Sequence, residues 1–440
     1  MIRRWLGGAE HAWQRLGPRG RGILSGILWI LATAPMLSRL TLGGVQGDLF
    51  IFMRGTDALL QGARIYRDVP YEYPLYSLLW FLGPRAVSTD LATFRVAFGL
   101  QIWMIDAGLK GVLLWLGLRT HAGVRGLAPF FAYTVGSAAL GYFLLQRFDL
   151  AVASLTIVAA VASAAGWPLA AGAGLALAAG SKVYPVLFMP VLAAIHWRDG
   201  RRDLIRFAQG ITLTLAPLAV AALWFPWWRF ASYHAARGLQ VESLPASIVW
   251  ALHFAGVPAR WESMPAFRSI EVTGPLAATL VAPGRLLWLG ASLVSLAAAT
   301  LAAWRASARF PRGGPRPVAS VAALMLLPVV TFVTMNTVLS PQFHLWLLPL
   351  AALVLLPPRA THDGDGARPT LPRAAVRGAL CVVVATLIVP VFLTHREYDT
   401  GLGPFRTFAL LCRNGLLVYA TLSLWRGVRA IAGSESDAGT

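Results

Sequence analysis

Residues 317–357 read PVASVAALMLLPVVTFVTMNTVLSPQFHLWLLPLAALVLLP and contain no Asp, Glu, Lys or Arg. An α-helix needs about 20 consecutive apolar residues to cross the hydrocarbon core of a bilayer. Two apolar runs, 317–336 and 343–357, lie here on either side of a short polar link. The stretch therefore predicts two membrane-spanning helices that are joined by a tight connection.

Similar apolar runs recur along most of the chain. It has 440 residues, of which 57% are hydrophobic and 13% are charged, and its mean hydropathy is +0.62. Soluble domains carry about 25% charged residues, so charge this sparse cannot cover the surface of a soluble protein of this size. The predicted fold class is an all-α polytopic membrane protein with about 12 transmembrane helices. The predicted spans are 21–42, 91–118, 127–146, 150–165, 168–181, 184–197, 204–227, 284–304, 317–336, 343–357, 375–394 and 405–427.

The distribution of Lys and Arg predicts the orientation of the chain. Of the 38 such residues, 21 lie in segments that face the cytoplasm if the N-terminus is inside, and 13 lie on the opposite side. Cytoplasmic loops carry an excess of Lys and Arg. We therefore predict a multi-pass plasma-membrane protein with both termini in the cytoplasm. One transmembrane domain covers 1–427, with long outer loops at 43–90 and 228–283, and 428–440 form a cytoplasmic tail.

Two topologies fit the first half of the chain. If residues 73–87 cross the membrane, 168–197 become a single span and the total stays at 12. This alternative buries Lys182 in mid-membrane, which is expensive for an unpaired ammonium. The favoured topology keeps 73–87 outside and places Lys182 at the outer edge. It predicts that 43–90 form short helices along the outer membrane surface, with Asp48 near the end of the first.

The net charge, the two cysteines and the N-terminal apolar run each fit a membrane protein better than a nucleic-acid-binding protein, a disulfide or metal site, or a cleaved signal peptide. The net charge of +19 comes from arginines that lie between apolar runs, and nucleic acid is not a predicted partner because no basic stripe with interleaved aromatic residues is present. Cys381 and Cys412 lie inside apolar segments and are predicted to be small core residues. Residues 22–34 resemble a cleavable signal peptide, but the apolar run continues to Leu42 and favours a retained helix.

Polar residues from seven separate regions fall at or near the predicted outer face. A polar patch over a hydrophobic bundle indicates a site at the outer leaflet. Gly-rich phosphate loops, HExxH and paired CxxC motifs are absent, and no metal site is predicted. We call this set the outer patch. Its candidate site residues are Asp48, Arg54, Tyr71, Glu72, Tyr73, Arg147, Asp149, Lys182, Tyr184, His234, Arg237, Gln240, Glu242, Ser243, Asn336, Gln342 and His344.

Four cations of the outer patch suit a phosphate, because a guanidinium fork or an ammonium binds phosphate oxygens well. Each of them also fits a residue that snorkels to water at the interface. Lys182 stands between two very apolar runs and needs an anion, either a bound phosphate or a carboxylate such as Glu242 or Asp149. We expect Lys182, Arg237 and Glu242 to approach one another. The four cations are Arg54, Arg147, Lys182 and Arg237.

Two carboxylates follow the first span. Asp48 comes directly after the glycine-rich segment 43–47. It fits a helix cap, and it also fits a general base, because a partly desolvated carboxylate can deprotonate a hydroxyl. Asp57 fits an ordinary solvated helix face.

Four stretches lie in order along the chain, namely GDLF (47–50) with YRDVPYEYP (66–74), KVYP (182–185), RGLQVES (237–243) and NTVLSPQFHLWLL (336–348). Taken together, they resemble bacterial glycosyltransferase family 87, whose members are membrane mannosyltransferases of the class C architecture. A looser likeness extends to the eukaryotic mannosyltransferase that starts glycolipid-anchor assembly. The chain departs from the family pattern at 73–75, which read YPL where many relatives have Tyr-Pro-Pro, and at 336–337, which read NT where many have Asn-Lys.

The resemblance implies transfer of a hexose, expected to be mannose, from a polyprenyl-phosphate sugar to a lipid-linked or glycan acceptor on the outer face. By this likeness, Asp48 takes the position of the expected general base, and Lys182 and Arg237 would neutralise the donor phosphate as it leaves. Arg54 and Arg147 are further candidates for the donor phosphate. The remaining outer-patch residues are candidates for substrate binding. Membrane lipid, the donor and a glycan or glycolipid acceptor are the expected partners, with no cofactor. Asp48-Leu49-Phe50 is not an Asp-x-Asp pair and implies no metal.

Two other functions compete with this interpretation. A lipid or small-solute transporter or flippase predicts charges near mid-membrane in discontinuous helices. Asp106 and Lys110 lie within a predicted span, but their i,i+4 spacing lets them satisfy each other. A non-catalytic assembly partner is the third hypothesis.

Overall fold

The computed structural model describes residues 2–40, 47–230, 237–264, 269–310, 312–358, 371–393 and 400–433. These residues form a bundle of α-helices with one small β-hairpin. The fold class predicted from the sequence, an all-α polytopic membrane protein, is confirmed. In chain order the helices are α1 (Ile2–Arg15), α2 (Pro18–Leu37), α3 (Gly47–Leu60), α4 (Leu79–Ala86), α5 (Leu91–Leu118), α6 (Ala128–Leu145), α7 (Asp149–Ala164), α8 (Pro168–Ser181), α9 (Met189–Asp199), α10 (Arg201–Ala221), α11 (Leu244–His253), α12 (Pro275–Ser307), α13 (Val318–Met335), α14 (His344–Val354), α15 (Arg373–Leu393) and α16 (Pro404–Gly433).

Each of the 12 predicted spans overlaps a helix in the described residues. Seven helices are long and apolar enough to cross a membrane, namely α2, α5, α10, α12, α13, α15 and α16. The helices α7, α8 and α14 are apolar but shorter. Short or interrupted helices are tolerated at membrane depth where neighbouring protein satisfies the backbone.

The stretch 317–357 forms the centre of the bundle. Every residue of α14 is buried, and most of α13 is buried as well. The helix α14 packs against α6, α7, α13 and α15. A helix that is apolar on all sides belongs inside the protein, and this position explains why charged residues are missing from the stretch.

The segment between α2 and α5 contains only short elements in its described part. These are α3, a 3₁₀ turn at Leu75–Leu78 and α4. The eight residues of α4 extend about 12 Å, whereas the hydrocarbon core is about 30 Å thick. Residues 73–87 therefore contain no single helix long enough to cross the membrane, and the short helices predicted for this loop are present in its described part. Their place along the outer membrane surface stays a prediction.

The second long loop has structure that the sequence did not predict. Helix α11 is capped by Ser243, whose hydroxyl accepts from the Ala246 N–H at 3.3 Å. The strands β1 (Arg260–Met264) and β2 (Ser269–Thr273) form an antiparallel hairpin in which Arg260 pairs with Thr273. Gln240 bridges to Glu271 on β2, so the hairpin is fixed to the segment that precedes α11.

The ion pair predicted inside α5 is present. Lys110 Nζ lies 2.6 Å from Asp106 Oδ2 and also donates to the Ala32 carbonyl at 2.9 Å, while the Tyr133 hydroxyl donates to Asp106 Oδ1 at 2.9 Å. These contacts join α5 to α2 and α6. The pair is accounted for as a structural element.

The backbones of helices α8 and α10 approach each other closely at two glycines. A Cβ atom at Gly172 would overlap the carbonyl oxygen of Phe207, and one at Gly210 would overlap that of Leu169. Small residues at such contacts allow close backbone approach between membrane helices. The contact fixes α8, the helix that delivers Lys182.

We expect Gly172→Val to lower the free energy of unfolding by about 1–3 kcal/mol, since overpacking displaces a backbone that cannot give way. Thermal denaturation of the purified protein in detergent would measure the change. Gly174→Ala on the same helix is the control, because its added methyl would meet neighbouring atoms at 3.6 Å, an ordinary contact. Equal melting temperatures for the two variants would contradict the interpretation.

Candidate active site

Lys182 has a carboxylate partner. The residue follows the last turn of α8 in an extended conformation, and its Nζ lies 2.6 Å from Oδ1 of Asp149, the first residue of α7. The same oxygen accepts from the Trp346 indole N–H at 2.5 Å. The Asp149 side chain is 1% exposed and that of Lys182 is 13% exposed. The pair therefore joins a buried acid to a lysine side chain that is itself mostly buried.

Three aromatic rings surround the Lys182 ammonium. Its Nζ lies 4.8 Å from the ring centroid of Phe148, 5.3 Å from that of Trp346 and 5.6 Å from that of Tyr73. These are favourable cation–π distances. Tyr184 stacks on Trp346 at 4.2 Å with nearly parallel rings. The rings and Asp149 together hold the charged side chain in one place.

Asp48 lies in the first turn of α3 and forms an ion pair with Arg147. The Tyr73 hydroxyl is 3.5 Å from Asp48 Oδ2, and the ring of the same tyrosine faces Lys182. Asp48 and Lys182 thus flank one side chain. The structure brings the predicted base and the strongest predicted phosphate contact into a single cluster, which we call the Asp48–Lys182 cluster.

Tyrosines of the first loop pack against one another next to this cluster and hold Tyr73 in place. The Tyr66 hydroxyl donates to the Tyr73 carbonyl at 2.6 Å, and Tyr71 shares a hydrogen bond of 2.7 Å with the Ser77 hydroxyl. Burial raises the pKa of the Tyr71 phenol, so it stays protonated. Tyr66 has φ +70°, a conformation that costs energy for a residue other than glycine and is found preferentially at functional sites. Gly55 leaves room for the Tyr71 ring, which lies 2.7 Å from the place where a Cβ would be.

A second polar cluster lies around Glu242. Its carboxylate is 3.4 Å from Arg413 Nη1, and its carbonyl accepts from Arg413 Nη2 at 2.7 Å. His344 shares a 3.0 Å hydrogen bond with Thr386 through Nδ1 and lies 3.4 Å from Arg413 through Nε2. Asn414 donates to the Glu242 carbonyl at 3.3 Å. These side chains are buried, and the network ties the loop before α11 to α14, α15 and α16.

Among the ion pairs of the described residues, Lys182, Arg237 and Glu242 do not pair with one another, and their expected approach stays a prediction. Lys182 pairs with Asp149 and Glu242 pairs with Arg413. The Arg237 carbonyl accepts from Arg285 at 2.5 Å. The physical reason is helix packing, which places the start of α7 beside the end of α8 and the middle of α16 beside the loop before α11.

The remaining outer-patch residues are spread over both clusters and beyond them. Arg54 is exposed on α3, and Glu72 is half-buried next to Tyr73. The Gln240 N–H donates to the Thr337 carbonyl at 3.0 Å, the Asn336 side chain accepts from the Val338 N–H at 2.9 Å, and Gln342 is half-buried in a 3₁₀ turn. Asn336 and Ser243 thus have local structural roles. His234 lies outside the described residues.

Two important residues were missed in the sequence. Trp346 lies in the quoted stretch 317–357, where an aromatic residue close to a polar link carries little signal because aromatic residues gather at interfaces anyway. Arg413 gave a clearer signal, since an arginine inside an apolar run such as 405–427 implies a partner. Asp57, read as a solvated residue, forms an ion pair with Arg85 at 2.5 Å.

Two cavities lie away from the Asp48–Lys182 cluster. One of about 430 Å³ lies beside the β-hairpin and is lined by His253, Arg260 and Glu262 among others. The other, of about 610 Å³, is an apolar groove between α9 and α12. Neither is lined by Asp48 or Lys182.

No protein-family model matches the sequence, and no curated protein matches it either. Among solved structures, the chain is similar to ArnT from Cupriavidus metallidurans bound to undecaprenyl phosphate, with 14% identity over 94% of this chain and 78% of that chain and a TM-score of 0.42. The apo state of the same protein gives 13% identity over 93% and 77% of the two chains, again with a TM-score of 0.42.

Proposed function

We propose that this protein is a membrane glycosyltransferase that moves a hexose from a polyprenyl-phosphate sugar to a lipid-linked or glycan acceptor at the outer face of the plasma membrane. The sugar is mannose by the family resemblance. The observation that carries the proposal is the position of Asp48 and Lys182 on either side of Tyr73. Transfer from a sugar phosphate needs a base for the acceptor and cations for the phosphate, and the cluster supplies both.

The chemistry follows from these groups. The acceptor hydroxyl oxygen attacks the anomeric carbon of the donor, and the bond between that carbon and the phosphate oxygen breaks. The hydroxyl proton passes to the Asp48 carboxylate, which acts as a general base. Polyprenyl phosphate leaves with one more negative charge than it carried as the sugar ester. Lys182 and Arg147 stabilise that charge.

The neighbouring residues are proposed to serve the same substrates. Lys182 keeps two of its three N–H donors for a phosphate while it pairs with Asp149, because an ammonium has three. The phenol of Tyr73 lies between base and cation, where the sugar would bind. Arg237 and Arg54 remain proposed contacts of the donor phosphate. The apolar helices would accommodate the polyprenyl chain.

Transfer from a radiolabelled donor tests the function. Purified protein in nanodiscs is incubated with polyprenyl-phosphate mannose, or with polyprenyl-phosphate glucose, and a lipid extract of the source membrane as acceptor. We expect label to move into the acceptor fraction with mannose and to a smaller extent with glucose. In a parallel assay with the protein in sealed proteoliposomes, movement of intact donor across the bilayer without sugar transfer would instead support the transporter or flippase.

A further inference from the structure

One tripeptide supplies a member of each ion pair in the Asp48–Lys182 cluster. Arg147 pairs with Asp48, and Asp149, two residues further on, pairs with Lys182. Phe148 between them faces the Lys182 ammonium with its ring. Two carboxylates and two cations therefore lie close together in this cluster. Because Tyr73 contacts both Asp48 and Lys182, a phosphate bound at Lys182 would also lie near Arg147.

The two pairs differ in how firmly they are held. Asp149 is 1% exposed and also accepts from the Trp346 indole, so separating it from Lys182 would leave a buried carboxylate without its counter-ion. Asp48 is 22% exposed and Arg147 is 12% exposed, and the further contact of Asp48 with Tyr73 is long at 3.5 Å. Because Asp48 is more exposed than Asp149, separation of its pair leaves a carboxylate that water can reach and costs less than separation of the Asp149 pair. The Asp48–Arg147 pair is the one that can open.

We propose that Arg147 exchanges partners during the reaction. It pairs with Asp48 while the site is empty, and it moves to the donor phosphate when the donor binds. A carboxylate next to a guanidinium is a weaker proton acceptor, so Asp48 becomes an effective base only when the donor is in place. The inference rests on the proposed function and adds to it an order of binding, donor before acceptor.

An aromatic ring flanks the Arg147 guanidinium. The Arg147 guanidinium lies 4.7 Å from the Phe143 ring centroid, and this ring can support it in either position. A guanidinium fork binds phosphate at least as well as carboxylate. Proton transfer then favours the new partner, because Asp48 becomes neutral while the phosphate gains a negative charge. Release of polyprenyl phosphate and loss of the proton from Asp48 restore the original pair.

A binding experiment with undecaprenyl phosphate tests the exchange without an acceptor. The full chain in nanodiscs is titrated as wild type, Asp48→Asn, Arg147→Gln and the double variant. Asp48→Asn should bind about tenfold more tightly than wild type, since Arg147 no longer has to leave a carboxylate. Arg147→Gln should bind about tenfold more weakly. In the Arg147→Gln background, Asp48→Asn should change the affinity by less than about twofold, because a double-mutant cycle removes effects that depend on the pair.

Each result decides the matter. If Asp48→Asn tightens binding equally with and without Arg147, the effect is simple repulsion between carboxylate and phosphate, and the exchange is overturned while the glycosyltransferase proposal stands. Unchanged affinity in Asp48→Asn also overturns it. If wild type does not bind the probe, the proposed function itself fails. If Arg147→Gln does not fold, Arg147→Lys replaces it as the background. In that background Asp48→Asn should tighten binding less than it does with arginine present, since an ammonium lacks the fork. Equal tightening in the two backgrounds overturns the exchange.

Discussion

Asp48→Asn is expected to lower the rate of sugar transfer by about 10²–10⁴-fold, the usual contribution of a general base. Asparagine keeps the size of the side chain and its ability to cap a helix, but it cannot take a proton at neutral pH. The variant therefore separates the role of base from the role of cap. Initial rates with a radiolabelled donor measure the effect, and the melting temperature of the variant shows whether the fold is intact.

The chain offers a matched control for this experiment. Asp57 lies nine residues further along α3, pairs with Arg85, and is 26% exposed compared with 22% for Asp48. Asp57→Asn should leave the transfer rate within about twofold of wild type, because the residue lies outside the cluster and an exposed pair contributes little. If Asp48→Asn keeps more than about a tenth of the wild-type rate, Asp48 is not the base.

Asp149→Asn is expected to destabilise the protein by about 3–5 kcal/mol. It removes the charge that compensates Lys182 in a mostly buried environment, and breaking a buried pair leaves an uncompensated ion. Thermal or denaturant unfolding in detergent measures the loss. Glu262→Gln is the control, because its pair with Arg260 lies on the surface and should change stability by less than about 1 kcal/mol.

A double variant distinguishes structure from function at this pair. Asp149→Asn with Lys182→Met removes both charges, so most of the lost stability should return, since neutral replacement of a buried pair is often harmless. Sugar transfer should not return, because the phosphate loses its cation. Recovery of transfer together with stability would show that Lys182 has a purely structural role.

The membrane-spanning helices were predictable because apolar run length decides them. The predicted spans 91–118 and 168–181 coincide with α5 and α8 at both ends. For α5 the start is fixed locally, since Asp90 accepts from the N–H groups of Ala92 and Thr93 at 2.8 and 3.0 Å. Helix α12 starts at Pro275, nine residues before the predicted span, because Pro283 and Arg285 read as the end of a loop while the helix continues through them.

Elements without an apolar run were not predictable in the same way. Helix α1 and the hairpin of β1 and β2 are short and mix polar with apolar residues. In the site, the motif order indicated Asp48 and Lys182. Asp149 was one of two carboxylates named as possible partners of Lys182, whereas Arg147 was not indicated as the partner of Asp48. Ion pairing between Lys182 and Asp149, or between Glu242 and Arg413, depends on which helix ends meet. That information is in the packing, and a single sequence does not contain it.

The connection between α6 and α7 has a consequence for how the chain can vary in evolution. It consists of three residues, Gln146 to Phe148. Arg147, which pairs with Asp48, lies within the connection, and Asp149, which pairs with Lys182, follows directly after it. Inserting or deleting one residue here would turn the arginine away from Asp48 and shift the start of α7. Related chains should therefore keep the length of this connection while the neighbouring long loops grow and shrink. An insertion scan across 143–150, read out by transfer, would map how sharply that constraint begins and ends.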